Sequence, residues 1–478
     1  MTAAPAASVV DAFRAAASHA GDRAMVVTAQ ASTSGRELVE LVDAKVDALS
    51  RLGVGEGARV GVVAWPPEAF VSDLFALFAL GALALPLSAE TTAWELARVD
   101  LQAGLTHLLA PGSSELSLGP STTTIGRQLG SCAQHTASAV PAGAAILQLT
   151  SGTTGRHGLA VRPASALLSE AAHYRQGLSL TSDDRIFSSL PLHHAYGLGL
   201  CCLAAPLVPA AVEYASHVAR RPRMLLRALA DSHATIFPTV PAMLRVVARA
   251  GGEATLPSLR AVITAGAPLD RHTGQEGRKL GQAVGQVYGT TETGPICIQP
   301  PDADRMSWQA VGPPLDDVEV RLAASAYQGG APAPVHVRSP SMLLGYWEDG
   351  GLDDTCIAAG AFATGDLGYF DGSELVLTGR ISNALKVAGE TISPEEIEAA
   401  LLGCPDVDAA LVSGLPDDRL GQRIHARVAP KTVSLEVLRR LCEQRLAPSK
   451  VPHVFDAVAS LPRTASGKII RTATARAT

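Results

Sequence analysis

Between Val9 and about Ser339 the chain alternates helical stretches with short runs rich in Val, Ile and Ala. The runs Arg59–Trp65, Thr106–Ala110, Ala144–Leu149, Arg185–Leu190, Ala234–Pro238 and Leu259–Gly266 read as buried strands, and Ala164–His173 reads as a helix entered after Pro163. Such alternation predicts an α/β fold with parallel sheets covered by helices. Two longer apolar runs, Leu74–Leu85 and Gly197–Val212, read as buried helices: the first is too short to span a bilayer and Pro206 breaks the second. From Asp317 to Leu377 the pattern changes to short strands with turns such as Asp371–Gly372, which predicts an antiparallel or barrel-like region. After Gly379 and Arg380 it resets to a compact α+β pattern, with a helix starting at Ser393–Pro394.

Bulk properties narrow the class. The chain has 478 residues, 47% of them hydrophobic, enough for a large core and more than one domain. A net charge of −6 gives no reason to expect nucleic acid or an anionic membrane as partner. The region from Arg380 onward carries 14 Lys and Arg against 11 Asp and Glu, a net of +3 on an otherwise acidic protein. The N-terminus shows no basic segment followed by an apolar core, so no signal peptide is expected. Seven cysteines without metal-ligand spacing fit a reduced, cytoplasmic protein.

Candidate chemistry sits in a few polar strings. Leu149–Gly158, LTSGTTGRHG, follows a predicted strand with three glycines and four hydroxyl residues. It reads either as a plain turn or as a cradle of backbone N–H groups for phosphate, although no lysine follows its last glycine as in a GxxxxGK[ST] loop. QVYGTTETG, Gln286–Gly294, offers Tyr288 to stack on a base, Thr291 to bond a phosphate and Glu292 to hold Mg²⁺; a turn with a solvated Glu is the bland alternative. In TGDLGY, Asp366 at a glycine turn can accept two ribose hydroxyls or simply close an Asx-turn. PRTASGKIIR places Lys468 on a glycine turn near the C-terminus, where most lysines are merely solvated.

Order decides between these readings. SGTTG, PLHHAYG, TAGAPL, YGTTE, GYW, TGD, GRxxxxxKxxGxxIxPxEIE and PRTxSGK follow one another from about Val9 to Arg471, and the ordered set resembles the adenylate-forming superfamily: acyl- and aryl-CoA synthetases, luciferases and peptide-synthetase adenylation domains. The resemblance implies a large N-terminal domain over 1–379, with two helix-covered sheets and a barrel-like region, and a small mobile α+β domain over 380–478. It implies a two-step reaction in which a small-molecule carboxylic acid attacks Mg-ATP to give acyl-AMP, and a thiol of CoA or of carrier-protein phosphopantetheine then displaces AMP. Thr150, Ser151, Gly152, Thr153, Thr154 and Gly155 would grip the ATP phosphates. Gly266, Ala267, Pro268 and Tyr288 would enclose adenine, with Gly289 and Thr290 beside them. Asp366 and Arg380 would hold the ribose, Thr291 the α-phosphate and Glu292 the metal. Lys468 would neutralise the transition state, since an anionic nucleophile and polyanionic ATP repel. His194 would separate carboxylate from thiol, and Gly389 would let the pantetheine arm pass after rotation about Ser382.

Two positions depart from the family's pattern. Where relatives read SGTTGxPKG, Gly155 is followed by Arg156, His157 and Gly158, one residue short and without the loop lysine; Arg156 can supply the charge with different geometry. The hinge position, commonly Asp or Lys, is Ser382. Ala195 stands where amino-acid-activating relatives carry an Asp, so an α-ammonium would lie unpaired. Tyr196, Thr239 and Val240 mark the expected acid pocket; Tyr196 reads either as the wall of an aryl pocket or as a core tyrosine. The leading reading is an AMP-forming acid–thiol ligase for an aryl or short acyl carboxylate. A diverged enzyme activating another oxyanion such as nitrite, and a non-catalytic nucleotide sensor, are the alternatives.

Overall fold

The computed structural model describes residues 7–111, 122–125, 127–131, 140–150, 158–215, 218–219, 221–251, 256–281, 283–299, 301, 308, 310–323, 332–383, 385–387, 390–392, 394–417, 420–430, 432–446, 450–463 and 469–471. Four sheets organise them. The first has eight strands in the order Gly294–Gln299, Val284–Thr290, Ala261–Ala265, Ile236–Thr239, Arg185–Ser188, Ala211–Tyr214, Ala24–Val27 and Ser32–Ser34. Its inner pairings are parallel and the strand at each edge is antiparallel. The second has nine strands and is parallel only around Arg59–Val63, Leu83–Leu87, His107–Pro111 and Ala144–Leu149. A five-stranded antiparallel sheet spans Glu319–Arg380, and a fourth sheet, with Pro394–Leu402 and Leu435–Arg445 as its helices, follows from Leu385.

Local signals account for the helix ends. Gly35–Arg51 and Ala93–Ala103 each begin in a capping box, Ser34 with Glu37 and Thr92 with Glu95, in which each side chain satisfies the other's backbone N–H. Gly104, at φ 60°, ends the second of these helices in the left-handed region. Pro67–Ala79 has proline at its first helical position and is buried on every side from Phe70 to Phe78, its buried Asp73 paired with Lys45 at 2.6 Å. Phe13 stacks on its Phe75 with ring centroids 4.0 Å apart.

Three expectations need correction. The run Leu74–Leu85 is not one helix: it ends at Ala79, turns at Gly81 and enters the strand Leu83–Leu87. The run Gly197–Val212 likewise divides into a π-helix at Leu198–Ala204, a helical turn at Ala205–Leu207 and the start of the strand Ala211–Tyr214. Periodicity cannot separate a fully buried strand from a fully buried helix, which explains both errors. Third, the glycine-rich loop does not lead from strand to helix. Leu159–Pro163 is a fully buried strand, antiparallel to Ala144–Leu149, and Thr150 N–H donates to Gly158 O at 2.9 Å to close the hairpin at its base.

A buried charge ties this hairpin to its surroundings. Arg162 pairs through Nη1 with Glu170 at 2.6 Å, the two side chains 1% and 2% exposed, and its Nη2 donates to Ser341 O at 2.9 Å. Breaking one member of such a pair leaves the other charge buried and uncompensated. Glu170→Gln should therefore lower unfolding free energy by about 3 kcal/mol, measured by denaturant titration. A loss below about 1 kcal/mol would show that the site readmits water on mutation.

Candidate active site

The strands of the first sheet point their carboxyl ends into a cleft, the place where open α/β sheets bind ligands. Thr239, Ala265–Pro268, Tyr288–Glu292 and Tyr196 line it from the large body, and Arg463, Ile469 and Arg471 line it from the C-terminal region. The strand Ala261–Ala265 leaves the sheet through Gly266 at φ +81°, a left-handed conformation that glycine adopts without steric cost. Gly266, Ala267 and Pro268 thus present backbone to the cleft.

Opposite them, three residues from distant parts of the chain form one polar cluster. Tyr288, 8% exposed, donates from its hydroxyl to Asp366 Oδ2 at 2.7 Å. Arg380 Nε donates to Asp366 Oδ1 at 2.7 Å, because Asp366 and Arg380 face each other across the antiparallel pair Ala361–Asp371 and Glu374–Arg380. Thr364 braces the carboxylate: its Oγ1 accepts from Asp366 N–H at 3.1 Å and donates to Val335 O at 3.1 Å. Burial and the Asp366 charge push the Tyr288 phenol well up, so it remains a donor. Burial works against the Arg380 guanidinium, but the Asp366 charge and hydrogen bond outweigh it and raise its pKa. Each carboxylate oxygen of Asp366 keeps a lone pair for a further donor.

The turn after Tyr288 carries Gly289, Thr290, Thr291 and Glu292 to the cleft wall. Thr293, fully buried, hydrogen-bonds its Oγ1 to Gly294 O at 3.0 Å and lies 3.1 Å from Thr290 Oγ1, which shapes the turn. Glu292 N–H donates to Thr290 Oγ1 at 3.2 Å, and Glu292 Oε1 accepts the Tyr346 hydroxyl at 2.8 Å. Thr150, 7% exposed, stands at the loop's base. The expected phosphate-loop residues Ser151, Gly152, Thr153, Thr154, Gly155 and Arg156, and the expected Gly389 and Lys468, lie outside the described residues. Arg463 and Ile469, which flank Lys468 in sequence, form an antiparallel bridge, and both line the cleft. Ser382 lies in a 3₁₀ turn at Ile381–Asn383, where Asn383 donates to Glu395 Oε1 at 2.6 Å.

On the expected acid side, Ala195 begins a short helix with His194 exposed at its N-terminus. Tyr196 is both core and wall: its hydroxyl donates to Ile263 O at 2.9 Å, its ring lies 6.4 Å from Tyr174, and it lines the cleft. Thr239 is 1% exposed and its Oγ1 finds no partner among the described residues, while Val240 is half-buried beside it. Tyr346 and Thr364 are the functional candidates to which sequence reasoning assigned no role. Tyr346 lay inside the GYW string, but its contact with Glu292 spans 54 positions and exists only in the fold.

Comparison with known proteins follows the same outline. Residues 13–347 match the family model for AMP-binding enzymes, and residues 396–468 match that for the AMP-binding enzyme C-terminal domain. A 2-succinylbenzoate–CoA ligase of Bacillus licheniformis is 33% identical over 343 residues, 69% of each chain. A feruloyl-CoA synthase of an Amycolatopsis species is 29% identical over 458 residues, 91% of this chain and 92% of that one. Among solved structures, ATP-bound MatB from Rhodopseudomonas palustris superposes with a TM-score of 0.84 at 24% identity, covering 96% of this chain and 97% of that one. Fold and matches together define an ATP-dependent, AMP-forming ligase. The chain belongs to the AMP-binding enzyme family.

His193 supplies a test of the cleft's electrostatics. Burial and the neighbouring His194, whose ring centroid is 4.2 Å away, lower its pKa from 6.5 to about 3. The unfolded chain then binds a proton that the folded one refuses, so stability falls as pH drops below about 6.5. His193→Asn should remove about 1–2 kcal/mol of the stability lost between pH 6.5 and 5. Equilibrium unfolding at both pH values checks this; identical slopes for both proteins would show that His193 titrates normally.

Proposed function

We propose that this protein is an acid–thiol ligase that activates an aryl or short acyl carboxylate as its adenylate and passes the acyl group to CoA. The observation that carries the reading is the convergence of Tyr288, Asp366, Arg380 and Glu292 on one cleft beside the base of the glycine-rich loop. The cluster suits a nucleoside: Asp366 retains acceptor capacity for ribose hydroxyls next to a fixed cation, with Tyr288 and the Gly266–Pro268 backbone as walls. The cation site suits magnesium. Glu292 brings one carboxylate to the cleft, and Mg²⁺ characteristically takes one or two carboxylates with substrate phosphates and water. Bound there by Glu292, it would offset phosphate charge.

In the first half-reaction a carboxylate oxygen attacks the α-phosphorus of ATP and the bond to pyrophosphate breaks. Thr291 and Lys468 hold the α-phosphate and neutralise its developing charge, and Thr150 through Gly155 hold the outer phosphates, with Arg156 in place of the family's loop lysine. In the second, the thiol sulfur attacks the acyl carbon and AMP leaves, His194 lying at the wall between the two entrances and Gly389 beside the pantetheine arm. On this reading the chain divides into 1–379 and 380–478, and the smaller part rotates Lys468 out of the site between the steps. CoA is favoured over a carrier protein because relatives such as the 2-succinylbenzoate and feruloyl enzymes use it. Their names also favour an aryl acid, as does the Tyr196 ring beside Ala195, Thr239 and Val240.

Benzoates, cinnamates, short fatty acids, α-amino acids and nitrite at equal concentration, each with CoA or a phosphopantetheinylated carrier protein, should give the highest kcat/KM for pyrophosphate release with an aryl acid and CoA. An α-amino acid as best substrate would overturn the pocket reading, and turnover only with nitrite would move the enzyme to another oxyanion. Lys468→Ala should slow acyl-AMP formation by about 10²–10³-fold while sparing thioester formation from supplied acyl-AMP. Equal loss of both steps would overturn the two-position role of this lysine.

A further inference from the structure

We infer that Tyr346 is a positioning residue that sets the Glu292 carboxylate for its cation and couples it to the base of the glycine-rich loop. The inference rests on the reading of Glu292 as the magnesium ligand. Tyr346 lies on the strand Gly345–Glu348, which pairs antiparallel with Leu159–Pro163, the return strand of the loop's hairpin, so that Tyr346 faces Ala160. On its other side this strand pairs with Gly351–Asp353, and Gly345 permits that close approach: a Cβ there would lie 2.4 Å from Asp353 O, and its φ is +155°.

The two ends of the Tyr346 side chain meet the two halves of the site. At the ring, a Cβ on Gly158 would come within 2.9 Å of both Cδ1 and Cε1 and 3.0 Å of Thr150 Oγ1. The aromatic edge therefore occupies the space at the loop's closing residue, and only glycine leaves room for it. At the hydroxyl, the 2.8 Å bond to Glu292 Oε1 uses one carboxylate oxygen and leaves Oε2 for a cation. The backbone is held as well: Leu343 N–H donates to Glu292 O and Leu344 N–H to Val161 O, each at 2.8 Å. A donor that fixes a metal-binding carboxylate in this way governs both its orientation and its basicity.

Tyr346→Phe keeps the ring against Gly158 and removes only the hydroxyl. Mn²⁺ replaces Mg²⁺ as the probe, titrated by electron paramagnetic resonance into the full-length protein saturated with α,β-methylene ATP. The variant should retain Mn²⁺ about ten-fold more weakly, with an unchanged melting temperature without metal and unchanged cation-free nucleotide binding. Gly158→Ala, which displaces the ring, should weaken retention in the same direction. Wild-type retention in Tyr346→Phe, alongside a clear loss in Glu292→Gln, would overturn the positioning role and leave the metal assignment standing. Wild-type retention in Glu292→Gln would overturn the metal assignment itself, and this inference with it.

Discussion

The buried guanidinium of Arg162 is the contact on which the geometry of the cleft depends. Its charge is balanced by Glu170 from the helix Ala164–Gly177, and its second amino group reaches Ser341 on the segment leading into Gly345–Glu348. Ser341 in turn donates from Oγ to Thr293 O at 2.9 Å, while His173 Nδ1 lies 3.2 Å from that Oγ and its Nε2 is 2.6 Å from Asp317 Oδ1. Through Arg162 and Ser341 these contacts join the loop's return strand, the turn that carries Glu292 and the segment before the strand that carries Tyr346. Burying charge is costly unless it is paired, so the network admits few alternative arrangements of these three segments.

Within that frame the polar wall proposed for the nucleotide is fixed by contacts within the chain. Asp366 meets Tyr288 at one oxygen and Arg380 at the other, with Thr364 behind it. Dipoles and charges already oriented in a partly dry cleft need little reorganisation during reaction, which is where electrostatic catalysis gains most. The acid side is built differently. Tyr196 has spent its hydroxyl on Ile263 O, so it offers the cleft an apolar ring. His193 is held neutral beside His194.

The C-terminal region meets the large body through charges as well. Arg245, fixed by Asp270 at 2.6 Å and Thr273 at 2.9 Å, donates to Asp408 O at 2.8 Å, and Arg249 Nη1 pairs with Asp408 Oδ1 at 2.7 Å. These partly exposed polar contacts contribute little individually. The Arg162–Glu170 pair, by contrast, is 1% and 2% exposed.

Sequence alone determined the family, the order of the motifs and most strands of the parallel core, because those depend on local pattern and on residue types whose chemistry is readable in place. The apolar run before the loop marked Ala144–Leu149 to the residue, and Pro163 marked the start of the helix at Ala164, which runs to Gly177 and not His173. Tertiary structure alone decided the rest. The strand Leu159–Pro163 was hidden because a fully buried strand beside a glycine-rich loop has no alternation to betray it. The two long apolar runs were divided by turns at which no polar residue interrupts the pattern. Tyr346 acquired its place at Glu292, and Arg162 its place at Glu170 and Ser341, through contacts spanning 54, 8 and 179 positions. Hydrogen bonds and buried ion pairs are specified by proximity in space, and proximity between distant segments is set by how the sheets pack, which no single stretch of the chain encodes.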